Sequence, residues 1–362
     1  MNSITPRGFK DVLPEEARIR EDLRNKCNAA MDLWGYAPIE TPTLEFLDVL
    51  EEGSHLESTT FKLFDGDNNL LVMRPDVTIP IARMVASRLT DSEGAHRFRY
   101  NLRVFRDNES EKGNSREFTQ FGIEQIGLSG PSADAETLIV FVESLLAAGL
   151  EGFKIEFCNV EVLNKLLESC EMGKEFEEAV MNAYHTSNYV KLNEVVDSAD
   201  LEPGLSNGLK DLIGIHGGRE AIDRCRKLLS SYVREQIFDD LEATWDIVEY
   251  CGYSDYIGID FSLLSSFDYY TGIIMEAFAP MFGKSIGSGG RYDNLLGEFG
   301  KDAPAAGFAF SLERLMHALA MQGNLVSAPN RYKQMYADDK EAFAKAMEMH
   351  SRGIAVMIGG SE

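Results

Sequence analysis

The chain has 362 residues, of which 44% are hydrophobic, enough for a large core and a smaller second body. Its 35 Lys and Arg against 59 Asp and Glu give a formal net charge of −24, which opposes binding to nucleic-acid phosphates. No apolar run approaches the roughly 20 residues of a membrane helix, and no secretion signal follows Met1, so we predict a soluble, cytoplasmic protein. The five cysteines form no Cys-x-x-Cys pair, which predicts buried free thiols and no metal site.

The first predicted helix covers Glu15 to Leu33, where apolar residues recur at helical spacing. Gly35 and Tyr36 end it. The next stretch, Ala37 to Leu47, contains Pro42. Proline cannot donate to a strand ladder, so by itself this residue indicates a strand edge.

Asp76 lies between a predicted strand and a predicted helix. Leu70 to Arg74 is a short apolar run that predicts a buried strand, and the following helix begins near Ile79. An aspartate just ahead of a helix is a common N-terminal cap.

A β-hairpin is predicted in the middle of the chain. Arg97 to Phe105 alternates strictly between apolar and polar side chains, and Arg116 to Ile126 returns after a polar loop. On the returning strand, Gln120, Gly122 and Glu124 share one face. The gap at Gly122, between an amide and a carboxylate, predicts a place for a ligand.

The segment Leu264 to Glu276 reads as two β-segments that meet at a kink at Gly272. The glycine-rich run Gly287 to Asp293 allows a second backbone to approach closely. Two tyrosines and an aspartate beside this glycine-walled gap predict a pocket for a small polar ligand.

Helical and strand patterns fill the remaining chain. A helix is predicted at 134–148, a strand at 153–158 and a charged helical region at 161–250, where His216 is expected in a loop. Residues 303–315 predict a strand that leads into a helix, and the tail at 332–362 predicts a strand, a helix and a strand.

Several ordered motifs resemble those of the histidyl-tRNA synthetases, which are class II synthetases, and of their non-catalytic relatives. These motifs are TPRGFKDVLP near the start, MRPDVT at 73–78, REFTQFGIE at 116–124, DYYTG at 268–272 and GGRYD at 289–293. The resemblance covers about residues 4–315, and several motifs in the same order are far more specific than one.

This resemblance implies the fold class and the domain organisation. We expect an α+β fold with a class II synthetase-like antiparallel β-sheet flanked by helices. A core at 1–325 would contain a helical insertion at about 161–250, and a short α/β appendage would follow at 326–362. The stretch Ala37 to Leu47 resembles the first class II signature, which implies a homodimer interface rather than a plain strand edge.

Four departures from the synthetase pattern imply a loss of catalysis. Ser265 stands where the synthetases have an arginine, and a missing preorganised cation costs about 3 kcal/mol or more of transition-state stabilisation. Asn108 and Asn114 replace a glutamate and an arginine of the nucleotide loop. The tail is too short for an anticodon-binding domain, and the net charge opposes tRNA.

The amino-acid pocket, by contrast, matches the family pattern. The resemblance implies that Asp76 and Gln120 contact an ammonium group, with the capping role of Asp76 as the alternative. Glu124 and Tyr270 would contact an imidazole, and Tyr292 would close the side of the pocket. A buried acceptor that reads a ring N–H discriminates against ligands that leave it unpaired.

Three arginines are implied as residual contacts for an anion or nucleotide. Arg106 and Arg116 belong to the second class II signature, and Arg314 to the third. Arg314 equally fits core packing, paired with a carboxylate. We predict no catalytic residue, no cofactor and no metal.

The pattern of losses favours one group of non-catalytic relatives, the regulatory subunits of ATP phosphoribosyltransferase. The resemblance implies that the chain binds L-histidine and allosterically activates or inhibits the short catalytic subunit in the first step of histidine biosynthesis, without tRNA. One alternative is a divergent histidine–tRNA ligase catalytic core. Another is a structural dimerisation scaffold with a decayed pocket.

Overall fold

The computed structural model describes residues 5–53, 60–89, 94–107, 115–264, 269–325, 332–336 and 339–359. Ser265, Asn108 and Asn114, on which the predicted loss of catalysis depends, lie outside these residues. The chain divides into two compact units. One comprises Met1–Asp11 with Leu23–Leu325, and the other comprises Val12–Asp22 with Val326–Glu362.

Twelve α-helices lie within the described residues. They are α1 (Pro14–Leu33), α2 (Leu47–Gly53), α3 (Thr78–Arg88), α4 (Pro131–Ala147), α5 (Val160–Ser169), α6 (Lys174–His185), α7 (Tyr189–Asp197), α8 (Pro203–Leu212), α9 (Arg219–Leu229), α10 (Glu235–Tyr250), α11 (Leu312–Met321) and α12 (Lys340–Ser351). None of these described helices is both long and apolar enough to cross a membrane.

Fourteen strands are formed by the same described ranges. They are β1 (Ala37–Pro38), β2 (Leu44–Phe46), β3 (Lys62–Phe64), β4 (Leu70–Met73), β5 (His96–Phe105), β6 (Glu117–Ile126), β7 (Lys154–Asn159), β8 (His216–Gly217), β9 (Ile257–Asp260), β10 (Ile273–Phe278), β11 (Ser285–Arg291), β12 (Ala305–Ser311), β13 (Tyr332–Met335) and β14 (Ala355–Ile358).

The main sheet has nine strands in the order β1-β5-β6-β12-β11-β10-β7-β9-β8. Its six central strands, β5 to β7 in that order, are antiparallel, and this confirms the class II synthetase-like fold class. The sheet as a whole is mixed, because β1 pairs with β5 and β7 pairs with β9 in parallel. The crossover between β7 and β9 contains helices α5 to α10, and α10 packs on α4.

On β6 and β12, strand alternation places Phe121, Phe308 and Phe310 on the face of the sheet that α4 covers. Phe121 and Phe310 stack with ring centroids 5.4 Å apart, and Phe141 of α4 stacks on Phe308 at 4.3 Å. These aromatic contacts form the core between the sheet and α4. Because neighbouring side chains on a strand point to opposite faces, Gln120 and Glu124 lie on the other face.

A smaller three-stranded antiparallel sheet has the order β2-β4-β3. In the second unit, β13 and β14 form a parallel pair connected by α12, as the strand, helix and strand pattern of the tail predicts.

Three local predictions are wrong. Tyr269 to Thr271 form no strand, and only the second β-segment, β10, exists among the described residues of that stretch. His216 is not in a loop, because it pairs with Asp260 in the edge ladder between β8 and β9. Cys251 is exposed, because it lies just beyond the end of α10, whereas the other four cysteines are buried free thiols.

Candidate functional site

A cavity of about 220 Å³ lies on the face of the main sheet that carries Gln120 and Glu124. Strands β6, β10, β11 and β12 form its floor, and the segment ahead of α3 and the start of α11 form its walls. It brings together every predicted site residue except Arg116, namely Asp76, Arg106, Gln120, Glu124, Tyr270, Tyr292 and Arg314. Within the described residues, no group of His, Cys, Asp and Glu is arranged to hold a metal ion.

Glu124 is the most completely enclosed acid of this cavity, with only 1% of its surface exposed. Its Oε1 accepts hydrogen bonds from the Thr78 hydroxyl at 2.7 Å and the Tyr100 hydroxyl at 3.2 Å, and its Oε2 accepts one from Tyr292. Burial raises the pKa of the Glu124 carboxyl to about 8, although the Tyr292 and Thr78 hydrogen bonds oppose this shift. The result is a buried acceptor with a fixed orientation.

The room for this carboxylate comes from a glycine on the neighbouring strand. Gly307 lies opposite Glu124 in the ladder between β6 and β12. A Cβ atom at Gly307 would lie 2.2 Å from Glu124 Oε2 and 2.3 Å from the carbonyl oxygen of Ile123. Only glycine leaves the carboxylate in place here.

The space beside Gly122 is occupied by the side chain of Tyr100. A Cβ atom at Gly122 would lie 2.4 Å from the Tyr100 hydroxyl oxygen, and Tyr100 faces Gly122 in the ladder between β5 and β6. The tyrosine therefore fills this space from the adjacent strand, and the prediction that a ligand lies there is wrong. The glycine lets Tyr100 reach Glu124.

Asp76 is a second buried acid of the cavity, with 2% of its surface exposed. Its Oδ1 accepts a hydrogen bond from the backbone N–H of Ile79 at 3.3 Å, so the capping contact that the sequence suggests is present. Burial raises the pKa of Asp76 to about 6, and the positive charge of Arg106 opposes the shift. Capping and lining the cavity are thus compatible at this residue.

Gln120 contributes a polar atom that no described residue contacts by a hydrogen bond. Its side chain is 8% exposed and lines the cavity, and its Oε1 has no hydrogen-bond partner among the described residues. Buried amide oxygens are nearly always satisfied, so this atom is suited to accept a hydrogen bond from a bound ligand.

Three tyrosine rings form one wall of the cavity. The ring centroids of Tyr269 and Tyr270 lie 4.8 Å apart, and those of Tyr269 and Tyr292 lie 5.7 Å apart. Tyr270 packs over Gly290, where a Cβ atom would come within 2.7 Å of the ring. The glycines of strand β11 thus allow the predicted close approach, here by the Tyr270 ring.

Arg106 and Arg314 are the two cations of the cavity. Arg106 Nε donates to the carbonyl oxygen of Pro75 at 2.8 Å, and the guanidinium lies over the Phe118 ring at 5.3 Å. Arg314 is exposed and donates to the carbonyl oxygen of Ser285 at 2.8 Å. Both side chains line the cavity, and their predicted contact with an anion stays a prediction.

Arg116 does not line the cavity. Its guanidinium pairs with Asp107 and lies over the Phe61 ring at 5.4 Å, and its backbone N–H donates to the carbonyl oxygen of Gly8 at 2.8 Å. Its contacts in this structure hold the N-terminal segment against the hairpin.

The sequence reasoning missed four residues of this site: Thr78, Tyr100, Tyr269 and Glu276. Thr78 lies in the motif MRPDVT and Tyr269 in the motif DYYTG, so the sequence alone carries a signal for both. Tyr100 is one of the apolar positions in the alternation of Arg97 to Phe105, and its contact with Glu124 depends on the strand pairing. Burial raises the pKa of the Glu276 carboxyl to about 7, and the charge of Arg314 opposes this shift.

The fold and the cavity define a class II synthetase-like protein with an amino-acid-sized polar site. In agreement with this, the histidyl-tRNA synthetase family matches residues 8–315. The ATP phosphoribosyltransferase regulatory subunit of Clostridium kluyveri is 34% identical over 98% of this chain and 92% of its own length. The protein of that name from Bacillus subtilis is 38% identical over 88% of this chain and 81% of its own length.

A solved structure of an ATP phosphoribosyltransferase regulatory subunit/histidyl-tRNA synthetase from Bacillus halodurans superposes with a TM-score of 0.91. It is 31% identical and covers 99% of this chain and 93% of that one. The chain therefore belongs to the family of ATP phosphoribosyltransferase regulatory subunits, within the histidyl-tRNA synthetase-like proteins. The names of these relatives agree with the predicted regulatory, non-catalytic role.

Proposed function

We propose that this chain is a histidine-binding regulatory subunit that controls a short-form ATP phosphoribosyltransferase catalytic subunit. The observation that carries the proposal is the enclosed Glu124 carboxylate, oriented by three hydroxyl groups beside the unpartnered Oε1 of Gln120. A site with buried acceptors binds the ligand that satisfies them and rejects analogues that do not.

L-Histidine matches the polar groups of the cavity. The ring N–H donates to Glu124, with Tyr270 beside it, and the ammonium group meets Asp76 and Gln120 Oε1. Arg106 is the half-buried cation available to the ligand's carboxylate. Tyr292, which already donates to Glu124, closes the side of the ring pocket.

The partner is inferred from the relatives, which are named as regulatory subunits of ATP phosphoribosyltransferase. Histidine bound in the cavity favours the less active state of the catalytic subunit through a coupling of about 1 to 3 kcal/mol. This control operates in the cytoplasm, in the first step of histidine biosynthesis, and without tRNA.

A homodimer is part of the proposal. In the small sheet, Leu44 and Phe46 are 40% and 51% exposed, and they lie opposite Met73 and Leu71. These four residues share one apolar face, and two of them, Leu44 and Phe46, lie in the stretch that resembles the first class II signature. An apolar sheet face of this kind favours association with a second copy.

The test is calorimetric titration of L-histidine into the purified chain, alone and with the short catalytic subunit, while the activity of that subunit is followed. We expect the chain to activate the subunit and histidine to suppress that activity. Glu124→Ala should abolish the suppression, whereas Glu194→Ala, on the exposed side of α7, should keep it. ATP-dependent pyrophosphate exchange with histidine, without an effect on the subunit, would instead identify a histidine–tRNA ligase core.

A further inference from the structure

We propose that the cavity binds its effector as the imidazolium cation, paired with an ionised Glu124. This inference rests on the proposed binding of histidine and deepens it, because it assigns the protonation state of the ligand. It follows from how charges are distributed among the described residues of the cavity.

Three carboxylates and two guanidinium groups line the cavity: Asp76, Glu124 and Glu276, with Arg106 and Arg314. The charge of Arg106 acts on Asp76, and the charge of Arg314 acts on Glu276. In the described part of the chain, no cation lies within ion-pair distance of Glu124. A bound cationic ring supplies the partner that this acid lacks.

The contacts of Glu124 favour an ionised acceptor. Hydroxyl groups of Thr78, Tyr100 and Tyr292 all point at its two oxygens, with two contacts on Oε1 and one on Oε2. A carboxylate has about four acceptor positions, so one stays available for a ring N–H. Burying a charge without a counter-charge is costly, and pairing it with a hydrogen-bonded cation offsets that cost.

The proton can come from the protein itself. In the empty cavity the raised pKa of Glu124, about 8, leaves the carboxyl largely protonated at neutral pH. When histidine enters, the O–H bond of Glu124 breaks and a ring nitrogen forms an N–H bond with the same proton. No external acid is needed, and the complex keeps one proton for the pair.

The other titratable groups that face Glu124 do not compete for this proton. Burial raises the pKa of the phenols of Tyr100, Tyr269, Tyr270 and Tyr292, so they stay neutral. Asp76 contributes a like charge, which disfavours ionised Glu124 until a cation arrives.

The test is ¹⁵N NMR of ring-labelled L-histidine bound to the intact chain at about pH 8, where the free imidazole, with a pKa of about 6.5, is neutral. We expect both bound ring nitrogens to resonate at the positions of the imidazolium cation. A bound ring with the split resonances of neutral imidazole overturns the inference and leaves histidine binding intact. The absence of any bound signal overturns both proposals.

A second measurement does not depend on a folded variant. A triazole analogue of histidine keeps the ring shape but holds its proton much more weakly, so it should bind about tenfold or more less tightly. Equal affinity would contradict the inference.

The variant Glu124→Gln, which keeps the size of the side chain, gives a third measurement. Any histidine that it binds at high concentration should have a neutral ring, and a cationic ring there would also contradict the inference.

Discussion

Glu124 is the residue around which the candidate site is built, and its environment combines three strands and a helix. Tyr100 comes from β5, Gly307 from β12 and Thr78 from the first residue of α3, and Tyr292 follows β11. Each neighbour either donates to the carboxylate or makes room for it. Changes at these positions therefore test the site one contact at a time.

Gly307→Ala should destabilise the protein by about 1 to 3 kcal/mol, because the new Cβ would overlap Glu124 and the backbone of Ile123. It should also weaken histidine binding. Thermal unfolding with and without histidine measures both effects. Gly66→Ala is the matched control, since nothing lies within 4 Å of a Cβ at that position. Equal stability of the two variants would contradict this account.

The raised pKa of Glu124 makes the folded chain hold a proton that the unfolded chain has lost. Stability should therefore fall as pH rises from the ordinary value of 4.5 to about 8, by up to about 1.4 kcal/mol per pH unit from this one group. Denaturant unfolding at a series of pH values measures the slope. Glu124→Gln should flatten it across this window, whereas Glu194→Gln should leave it unchanged. An unchanged slope in Glu124→Gln would show that the carboxyl titrates normally.

At the scale of elements, the small sheet and the main sheet differ in what covers their faces. The small sheet buries Val72 on one face and exposes Leu44 and Phe46 on the other. The main sheet is covered by α4 on one face and carries the cavity on the other. The exposed apolar face of the small sheet favours association with a second copy of the chain. The main sheet requires α4 to be held against it.

Phe46→Lys should dissociate the proposed homodimer, because it places a charge in the apolar face shared with Leu71 and Met73. Light scattering after gel filtration measures the mass. Phe64→Lys is the control, since Phe64 is 65% exposed in the same sheet but pairs with Leu70, on the opposite face. A dimeric Phe46→Lys, or a monomeric Phe64→Lys, would count against this interface.

A buried ion pair anchors α4 to the end of β11. Arg291 Nε and Nη2 donate to Asp134 Oδ1 at 2.8 and 2.6 Å, and both side chains are less than 10% exposed. Asp134→Ala should cost about 3 to 5 kcal/mol of unfolding free energy, because it leaves a buried guanidinium with Asp293 as its remaining ion-pair partner. Glu168→Ala, which breaks the exposed pair with Lys165, should change little in the same denaturant titration. Similar losses in the two variants would refute the anchoring role.

At the scale of the whole molecule, the proposed function depends on net charge and on coupling between binding sites. A charge of −24 opposes binding to RNA phosphates. Regulation requires that the occupied and empty cavity differ in their affinity for the partner, and such coupling is reciprocal.

Histidine affinity should therefore change when the catalytic subunit is present, by the same factor by which histidine changes the affinity of the two subunits. A coupling of about 1 to 3 kcal/mol corresponds to about 5-fold to 150-fold. Calorimetric titrations around the closed cycle measure both factors. Unequal factors would mean that a further equilibrium, such as a change in subunit association, contributes to the titrations, and a factor of one would remove the allosteric proposal.

Much of this protein is determined by its sequence alone. The strict alternation at 97–105 predicts β5, helical spacing predicts α1, and the ordered motifs predict the family, because each of these signals depends on local periodicity or on residue identity. Asp76, Gln120, Glu124, Tyr270 and Tyr292 lie far apart in the chain, and the motif resemblance placed them in one cavity.

Only the tertiary structure decided what surrounds these residues. The use of Gly122 for Tyr100, the role of Gly307, the separation of Arg116 from the cavity and the presence of Glu276 in it all depend on strand pairing between distant segments. Local periodicity does not by itself say which residue lies opposite another across a ladder, because register also depends on turn geometry and on which face of the sheet is buried. For the same reason, only the folded structure shows that Glu124 has no cation within ion-pair distance among the described residues.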